Sequence, residues 1–217
     1  MYRIISKVMG IASYFALLLF VVNTNSQNTI TNLKFKKNTI YIFSRGTKTK
    51  SGIIAEKFNN QDHKITHVGI GFVEHNQLKI YNVVDVDTLQ TALVISNLKS
   101  FINESVYYVS VWKCDNNYAD FQNLKKIYKA YRCKKIYFDF SFNLNDGNRM
   151  YCSEFCATVL KETNLIKFNF QPKVMKLDPF YKTVLERAYL IYYPVDFFED
   201  SPYFTKIFES DIPIITD

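Results

Sequence analysis

The chemistry of this chain must come from few side chains, since its 217 residues include three histidines and four cysteines. Cys152 follows a polar loop and begins a predicted helix. Backbone N–H groups and the positive end of the helix dipole meet a side chain at that position, which lowers a thiol pKa and favours the thiolate. We therefore predict Cys152 as a nucleophile, with a small buried structural residue as the alternative. Cys156, one turn later on the inward side of the helix, fits the structural role better.

A cysteine nucleophile needs an imidazole that accepts its proton and later protonates the leaving group. His67 begins a predicted strand, and Gly69 and Gly71 follow on the same face. These small residues leave room beside the histidine for a ligand or another segment of backbone. His67 is therefore the predicted base.

The imidazole in turn needs a group that orients it. Asn82 interrupts the apolar face of the following strand, so its amide must find a hydrogen-bond partner. We predict that this partner is His67, and Asp85 and Glu74 at the strand ends are the alternative orienting groups. A role confined to satisfying a backbone group remains the other interpretation of Asn82.

Glu154, on the first turn of the predicted Cys152 helix, is a candidate for binding a substrate amine. The alternative is a carboxylate that only complements the helix dipole. Metal binding is not expected, because the one close pair of cysteines has no histidine in its segment. Phosphate-binding glycine loops are absent from the sequence, so no cofactor is expected either.

The elements that must position these groups follow from hydrophobic periodicity and turn residues. Strands clustered early in the chain, long helices on either side of a polar loop, and a final strand predict an α+β fold. An irregular aromatic tail is expected after the last strand. The predicted strands are Thr39–Phe43, Thr66–Val73, Leu78–Val84, Thr91–Ile95, Ser105–Trp112 and Glu186–Tyr193, and the predicted helices are Gly52–Phe58, Asn97–Ile102, Ala119–Tyr131 and Tyr151–Thr163.

Composition indicates a globular domain, with 48% hydrophobic and 22% charged residues, which excludes wholesale disorder. The formal charge is +7, but the lysines are scattered rather than arranged in a stripe with aromatic residues. Nucleic-acid binding is therefore not expected.

The first residues are typical of a secretory signal peptide. Arg3 and Lys7 precede an apolar run, Val8–Val22, which is shorter than the roughly 20 residues of a membrane-spanning helix. We predict a signal peptide over residues 1–26, cleaved after Ser26, and a single domain over residues 27–217. The protein is then exported to the periplasm or cell envelope, where its positive charge favours anionic surfaces. An uncleaved membrane anchor is the alternative, and the oligomeric state is not predicted.

Three segments occur in order along the chain, Thr66–Ile70 (THVGI), Tyr137–Phe142 (YFDFSF) and Tyr151–Phe155 (YCSEF). Through them, and over the range from Ile40 to Phe198, the sequence resembles the YiiX/YaeF-like permuted papain-like cysteine amidases and peptidases, relatives of the NlpC-type cell-wall peptidases. In that family the histidine strand precedes the cysteine helix, the reverse of the order in papain.

The resemblance implies a circularly permuted papain-like fold, with a central antiparallel sheet packed against helices and a Cys–His–Asn type of site. The family's cysteine falls on Cys152, its histidine on His67, and its third position, usually acidic, on Asn82. The family usually carries a Gly-Asp pair just before the first strand. In this sequence the corresponding positions are Lys37 and Asn38 or their neighbours, so the pair is missing there.

Three functions are compatible with these observations. The favoured one is an exported cysteine hydrolase that cleaves an amide bond of a cell-wall peptide or an aminoacyl conjugate through a thioester intermediate. The second uses the same Cys–His pair on a lipid acyl group, as a hydrolase or acyltransferase. The third is a catalytically silent binding module with the same fold.

Overall fold

The computed structural model describes residues 30–49, 52, 55–61, 64–85, 91–103 and 105–212. The chain divides into two units, Met1–Lys34 and Phe35–Asp217, and in the first of them Ile30–Asn32 form a 3-10 turn. The predicted signal peptide, residues 1–26, lies outside the described residues. Among the residues described, no helix is long and apolar enough to cross a membrane.

The second unit contains ten strands and four helices with the following bounds in the described chain. The strands are β1 (Tyr41–Thr47), β2 (His67–Glu74), β3 (Gln77–Val83), β4 (Leu93–Ser96), β5 (Val106–Cys114), β6 (Tyr137–Phe138), β7 (Arg149–Met150), β8 (Lys173–Lys176), β9 (Tyr189–Tyr192) and β10 (Phe204–Asp211), and the helices are α1 (Leu98–Phe101), α2 (Tyr118–Arg132), α3 (Cys152–Thr163) and α4 (Pro179–Val184).

Six strands form one antiparallel sheet in the order β10-β5-β1-β2-β3-β4. The β2–β3 turn consists of His75 and Asn76, whose φ angles of 49° and 63° suit a two-residue hairpin turn that matches the twist of the strands. Two small pairs, β6–β7 and β8–β9, lie outside this sheet. The predicted α+β architecture with a central antiparallel sheet is confirmed.

Helix α3 packs against β2 and β3 and also against α2. The predicted apolar face is buried, because Phe155, Val159 and Leu160 are all inaccessible to solvent. Phe155 contacts the rings of Tyr128 and Tyr131 of α2, at centroid distances of 6.0 and 5.5 Å. These contacts fix the first residue of α3 over the middle of the sheet.

Most predicted elements are present within a few residues of their predicted bounds, but two predictions are wrong. The first strand was predicted to end at Phe43, yet residues 44–47 continue β1, because Ser44 is buried and its hydroxyl lies 2.7 Å from that of Ser110 in β5. The tail is not irregular, since β10 pairs with β5 as an edge strand. The predicted helix Gly52–Phe58 is described in part, with Gly52, Ala55 and Glu56 helical.

Candidate active site

The start of α3 is held in place by Tyr193, which lies beyond the polar loop and the helix itself. The backbone N–H of Tyr193 donates to the Tyr151 hydroxyl at 2.7 Å, and the Ser153 hydroxyl donates to the Tyr193 carbonyl oxygen at 2.7 Å. Both side chains are buried. The two residues on either side of Cys152 are therefore fixed, and the cysteine has little freedom to move.

Cys152 lies close to the strand that carries His67. The backbone N–H groups of Val68 and Ser153 lie near its sulfur and act to lower the thiol pKa. Burial has the larger effect, and the pKa of Cys152 is raised above its ordinary value. The predicted lowering of the pKa is therefore wrong, because the residue is 93% removed from solvent, with 7% of its surface exposed. The resting group is a thiol that needs a base.

His67 contacts Asn82 as the sequence predicted, with 3.0 Å between Nε2 and Oδ1. The Asn82 amide nitrogen donates to the carbonyl oxygens of Ile80 and Val94, both at 3.3 Å, and to the Ser96 hydroxyl at 3.1 Å. Because these partners include two carbonyl oxygens, the amide orientation is settled and Oδ1 must face the imidazole. His67 then carries its proton on Nε2, which leaves Nδ1 as the basic nitrogen.

The pKa of His67 is lowered from 6.5 to about 3, by burial first and then by the positive charge of Arg45, with the Asn82 hydrogen bond acting in the opposite direction. The imidazole is therefore neutral at neutral pH. The site is a neutral thiol–imidazole pair rather than a preformed ion pair.

Arg45 is a site residue that the sequence analysis missed, because the predicted first strand ended at Phe43. In the β1–β2 register Arg45 is the direct partner of His67, so the two side chains lie on the same face of the sheet. Its guanidinium lies 4.7 Å above the ring of Phe101, and Nη1 donates to the Phe101 carbonyl oxygen. The period-two continuation of Tyr41 and Phe43 into Arg45 is the signal that could have placed it.

Burial lowers the pKa of Arg45, and the nearby Cys152 sulfur opposes this effect. Each of the two groups shifts the pKa of the other, which places the guanidinium within electrostatic reach of the nucleophile. Arg45 Nε is buried and has no hydrogen-bond acceptor within the described part of the chain.

Cys152, His67, Asn82 and Arg45 all line one cavity of about 800 Å³. One wall is the polar surface of the sheet. The opposite wall, here called the aromatic wall, is an apolar cluster beside the start of α3. The aromatic wall consists of Phe58, Phe138, Phe142, Tyr151, Tyr181, Leu185, Leu190 and Tyr192.

The remaining predicted candidates have structural contacts. The Glu154 carboxylate accepts from the backbone N–H of Tyr151 at 3.4 Å, and burial raises its pKa to about 8. Glu154 is not among the residues that line the cavity, so its predicted substrate-binding role has no support from position. Asp85 lines the cavity, whereas Glu74 lies at the far end of β2.

No group of three His, Cys, Asp or Glu side chains among the described residues is arranged to hold a metal ion. A neutral imidazole fixed by an amide, in the same cavity as a cysteine at a helix start, is suited to nucleophilic acyl transfer.

Comparisons with known proteins identify the family of this chain and a structure of similar fold. The family model for permuted papain-like amidase enzymes, YaeF/YiiX, C92 family, matches residues 40–184. A crystal structure described as that of the metalloprotein yiiX from Escherichia coli O157:H7 is similar, with a TM-score of 0.59 and 16% sequence identity, over 82% of this chain and 100% of that one. At this identity the similarity shows the fold alone. A search of curated proteins found no match.

Proposed function

The chain belongs to the YaeF/YiiX family of permuted papain-like amidases, and from this premise we propose that it hydrolyses amide bonds with Cys152 as nucleophile, His67 as base and Asn82 as orienting residue. The family is one of thiol-dependent hydrolases. The observation that carries the residue assignment is the His67–Asn82 hydrogen bond, because it leaves Nδ1 as the basic nitrogen in the cavity that Cys152 lines.

The first step is attack on the amide carbonyl carbon. His67 Nδ1 takes the proton from the Cys152 sulfur as the S–C bond forms, so a free thiolate is not needed beforehand. The oxyanion that develops is stabilised by backbone N–H groups at the start of α3 and by the helix dipole. Burial and the positive charge of Arg45, which lower the pKa of His67 in the resting site, favour release of this proton in the next step.

The second step breaks the carbon–nitrogen bond. The imidazolium donates its proton to the departing amine, and the acyl group remains on Cys152 as a thioester. Water, deprotonated by the same imidazole, then attacks the thioester and releases the carboxylic acid and the free thiol. Asn82 holds the imidazole plane through both proton transfers, which preserves the nitrogen that faces the reaction.

The substrate that we propose is an amide of the cell envelope, either a cell-wall peptide or an aminoacyl conjugate. Support comes from the apolar segment Val8–Val22 with its preceding basic residues, which is typical of an export signal. Export is tested by N-terminal sequencing of the protein recovered from the envelope fraction. A mature start at Gln27 is expected, and a start at Met1 contradicts cleavage.

A lipid acyl substrate is the second candidate, and the aromatic wall favours it. A cavity of about 800 Å³ accommodates a group much larger than a short side chain, and its apolar surface suits hydrocarbon. Hydrolysis of a muropeptide panel and of an acyl-lipid panel by the same preparation separates the two candidates.

The catalytic assignment is tested with Cys152→Ala and with Cys156→Ala as the matched control. Both residues lie on α3 and both are buried, but Cys156 does not line the cavity. Activity is expected to vanish in the first variant and to persist in the second. Activity that survives in Cys152→Ala would overturn the mechanism, and a wild-type protein that cleaves nothing would favour a binding module.

A further inference from the structure

Positive charge is concentrated on the outer side of α2 and on the segment that follows this helix. Six cations lie between positions 125 and 135, and no acidic residue occurs from Phe121 to Phe138. All six are exposed to solvent. This set is here called the basic patch, and it consists of Lys125, Lys126, Lys129, Arg132, Lys134 and Lys135.

The packing of α2 fixes the direction in which these cations project. Phe121 and Tyr128 lie on the buried side of the helix and contact the ring of Phe72 in β2, at centroid distances of 5.7 and 5.5 Å. Lys125 and Lys129 are one turn apart and therefore share a side of the helix. Because the opposite side is committed to the core, the lysines remain at the surface.

The fold does not neutralise the charge of the basic patch. Glu162 lies near it but accepts a hydrogen bond from the Tyr131 hydroxyl at 3.1 Å, and Glu74 lies close to the Tyr81 hydroxyl together with Arg132. A second copy of the chain presenting the same patch would be repelled, so the partner that this surface fits is an anion. The ion pairs found among the described residues involve other cations, namely Lys64, Arg149, Lys167 and Lys206.

Exposed aromatic rings continue the basic patch toward the cavity. Ile136 is buried, and its carbonyl oxygen accepts from the backbone N–H of Ala92 at 2.6 Å, whereas the next side chain, Tyr137, is 48% exposed. Phe140 is 58% exposed and also lines the cavity, and its ring lies 4.9 Å from that of Phe138. The cavity therefore opens beside a surface that combines positive charge with protruding aromatic rings.

This combination matches a lipid surface better than a nucleic acid. Lysine and arginine side chains are attracted to anionic headgroups, and aromatic rings settle at the level of those headgroups. Single-stranded nucleic acid is bound by aromatic rings that follow one another along a basic groove. Tyr137 and Phe140 instead lie at one end of the basic patch, where they can enter an interface while the lysines contact phosphate groups.

We propose that the basic patch, together with Tyr137 and Phe140, docks the protein on an anionic phospholipid surface and places the mouth of the cavity at the lipid headgroups. No residue of the basic patch lines the cavity. The docking surface is therefore separate from the catalytic residues, and the proposal holds whether or not Cys152 is the nucleophile.

The test measures sedimentation of the full-length protein with two kinds of vesicle, phosphatidylcholine alone and an equimolar mixture of phosphatidylcholine and phosphatidylglycerol. Binding to the neutral vesicles measures any contribution of the apolar segment Val8–Val22, which all variants share. The anionic vesicles are expected to bind more tightly, and added salt is expected to reduce the difference, because exposed charges are screened.

The variant that tests the basic patch is the triple substitution Lys129→Gln, Lys134→Gln and Lys135→Gln. One lysine near an anionic surface strengthens binding about fivefold, so this variant is expected to lose about 10²-fold in affinity for the anionic vesicles. Its affinity for the neutral vesicles is expected to stay unchanged. Tyr137→Ser is expected to weaken binding to the anionic vesicles without changing the dependence on salt, since it removes an apolar contact rather than a charge.

The matched control removes the same charge elsewhere, with Lys36→Gln, Lys37→Gln and Lys113→Gln. These lysines are exposed and lie near Tyr41, which begins β1 and pairs with Lys113, whereas the cavity is lined by the other end of β1. The control is expected to keep nearly the full affinity for anionic vesicles, because charges farther than a Debye length from the membrane are screened.

An optical readout reports the orientation of the docked protein. Cys133 is an exposed thiol within the basic patch, and Cys114 and Cys156 are buried. In the Cys152→Ala protein, a polarity-sensitive fluorophore attached to Cys133 is expected to shift to shorter wavelength with anionic vesicles and to stay unchanged with neutral ones.

Three results would overturn the proposal. The first is equal affinity of the wild type for the two kinds of vesicle. The second is an equal loss of affinity in the two triple variants, which would mean that net charge rather than this surface governs binding. The third is binding of a DNA oligonucleotide that depends on Lys129, Lys134 and Lys135, without preference for anionic vesicles, which would assign the basic patch to nucleic acid.

Discussion

The neutral state of His67 makes the free energy of unfolding depend on pH. The contribution of this one residue can be measured with the variant His67→Gln. The pKa of His67 is about 3 in the folded protein and 6.5 when the group is unperturbed. A lowered histidine pKa contributes stability that is fully present above pH 6.5 and is lost as the pH falls toward 3, because the unfolded chain takes up the proton first. Between pH 6.5 and pH 4.5 this loss of stability amounts to about 2.3 kcal/mol, because over most of this range only the unfolded chain binds the proton.

Glu154 acts with the opposite sign over the same range. Its pKa is raised from 4.5 to about 8, so its contribution to stability is present below pH 4.5 and is lost as the pH rises. The two effects nearly cancel in the wild type. The informative quantity is therefore the difference between the wild type and His67→Gln, whose amide keeps a donor to Asn82 and does not titrate.

The assay is guanidinium chloride unfolding followed by the fluorescence of Trp112, the single tryptophan, which is buried. Each protein is compared with its own free energy of unfolding at pH 6.5. At pH 4.5 the wild type is expected to have lost about 2–3 kcal/mol more of this free energy than His67→Gln. Parallel pH profiles of the two proteins would refute the reasoning, since they would show that His67 protonates in the folded state as readily as in the unfolded chain.

Three other outcomes are expected. Asn82→Ala should lower kcat by about 10²-fold, the low end of what general acid–base catalysis contributes, with KM little changed in steady-state kinetics; an unchanged kcat contradicts the orienting role. In a Cys133→Ser background, which removes the exposed thiol, iodoacetamide should label Cys152 far faster than Cys156. Cys156 is wholly buried, and its pKa is raised well above the ordinary value. Equal labelling rates of the two residues, measured by peptide mass mapping, argue against the site. Between pH 6 and pH 8 the wild type should lose about 2–3 kcal/mol of unfolding free energy relative to Glu154→Gln, and a difference that stays constant with pH refutes the buried protonated carboxyl.

Local pattern was sufficient for the parts of the fold and site that depend on neighbours in sequence. Period-two alternation predicted β2 and β3, and with them the faces that bring His67 and Asn82 to 3.0 Å. Helical periodicity and the preceding polar loop predicted the start of α3 at Cys152 within one residue. These features depend on residues a few positions apart, so the sequence shows them directly.

Only the tertiary structure determined the environment of these groups. The thiol pKa of Cys152 rises rather than falls because burial by distant segments outweighs the local N–H groups of its helix, and burial is not a local property. Arg45 reaches the site through the β1–β2 register and its contact with Phe101, which lies far along the chain. The aromatic wall likewise joins Phe58, Tyr151 and Tyr192 from separate segments. Sequence patterns determined which residues can react, and packing of remote segments decided their charge states and the shape of the surface that a substrate meets.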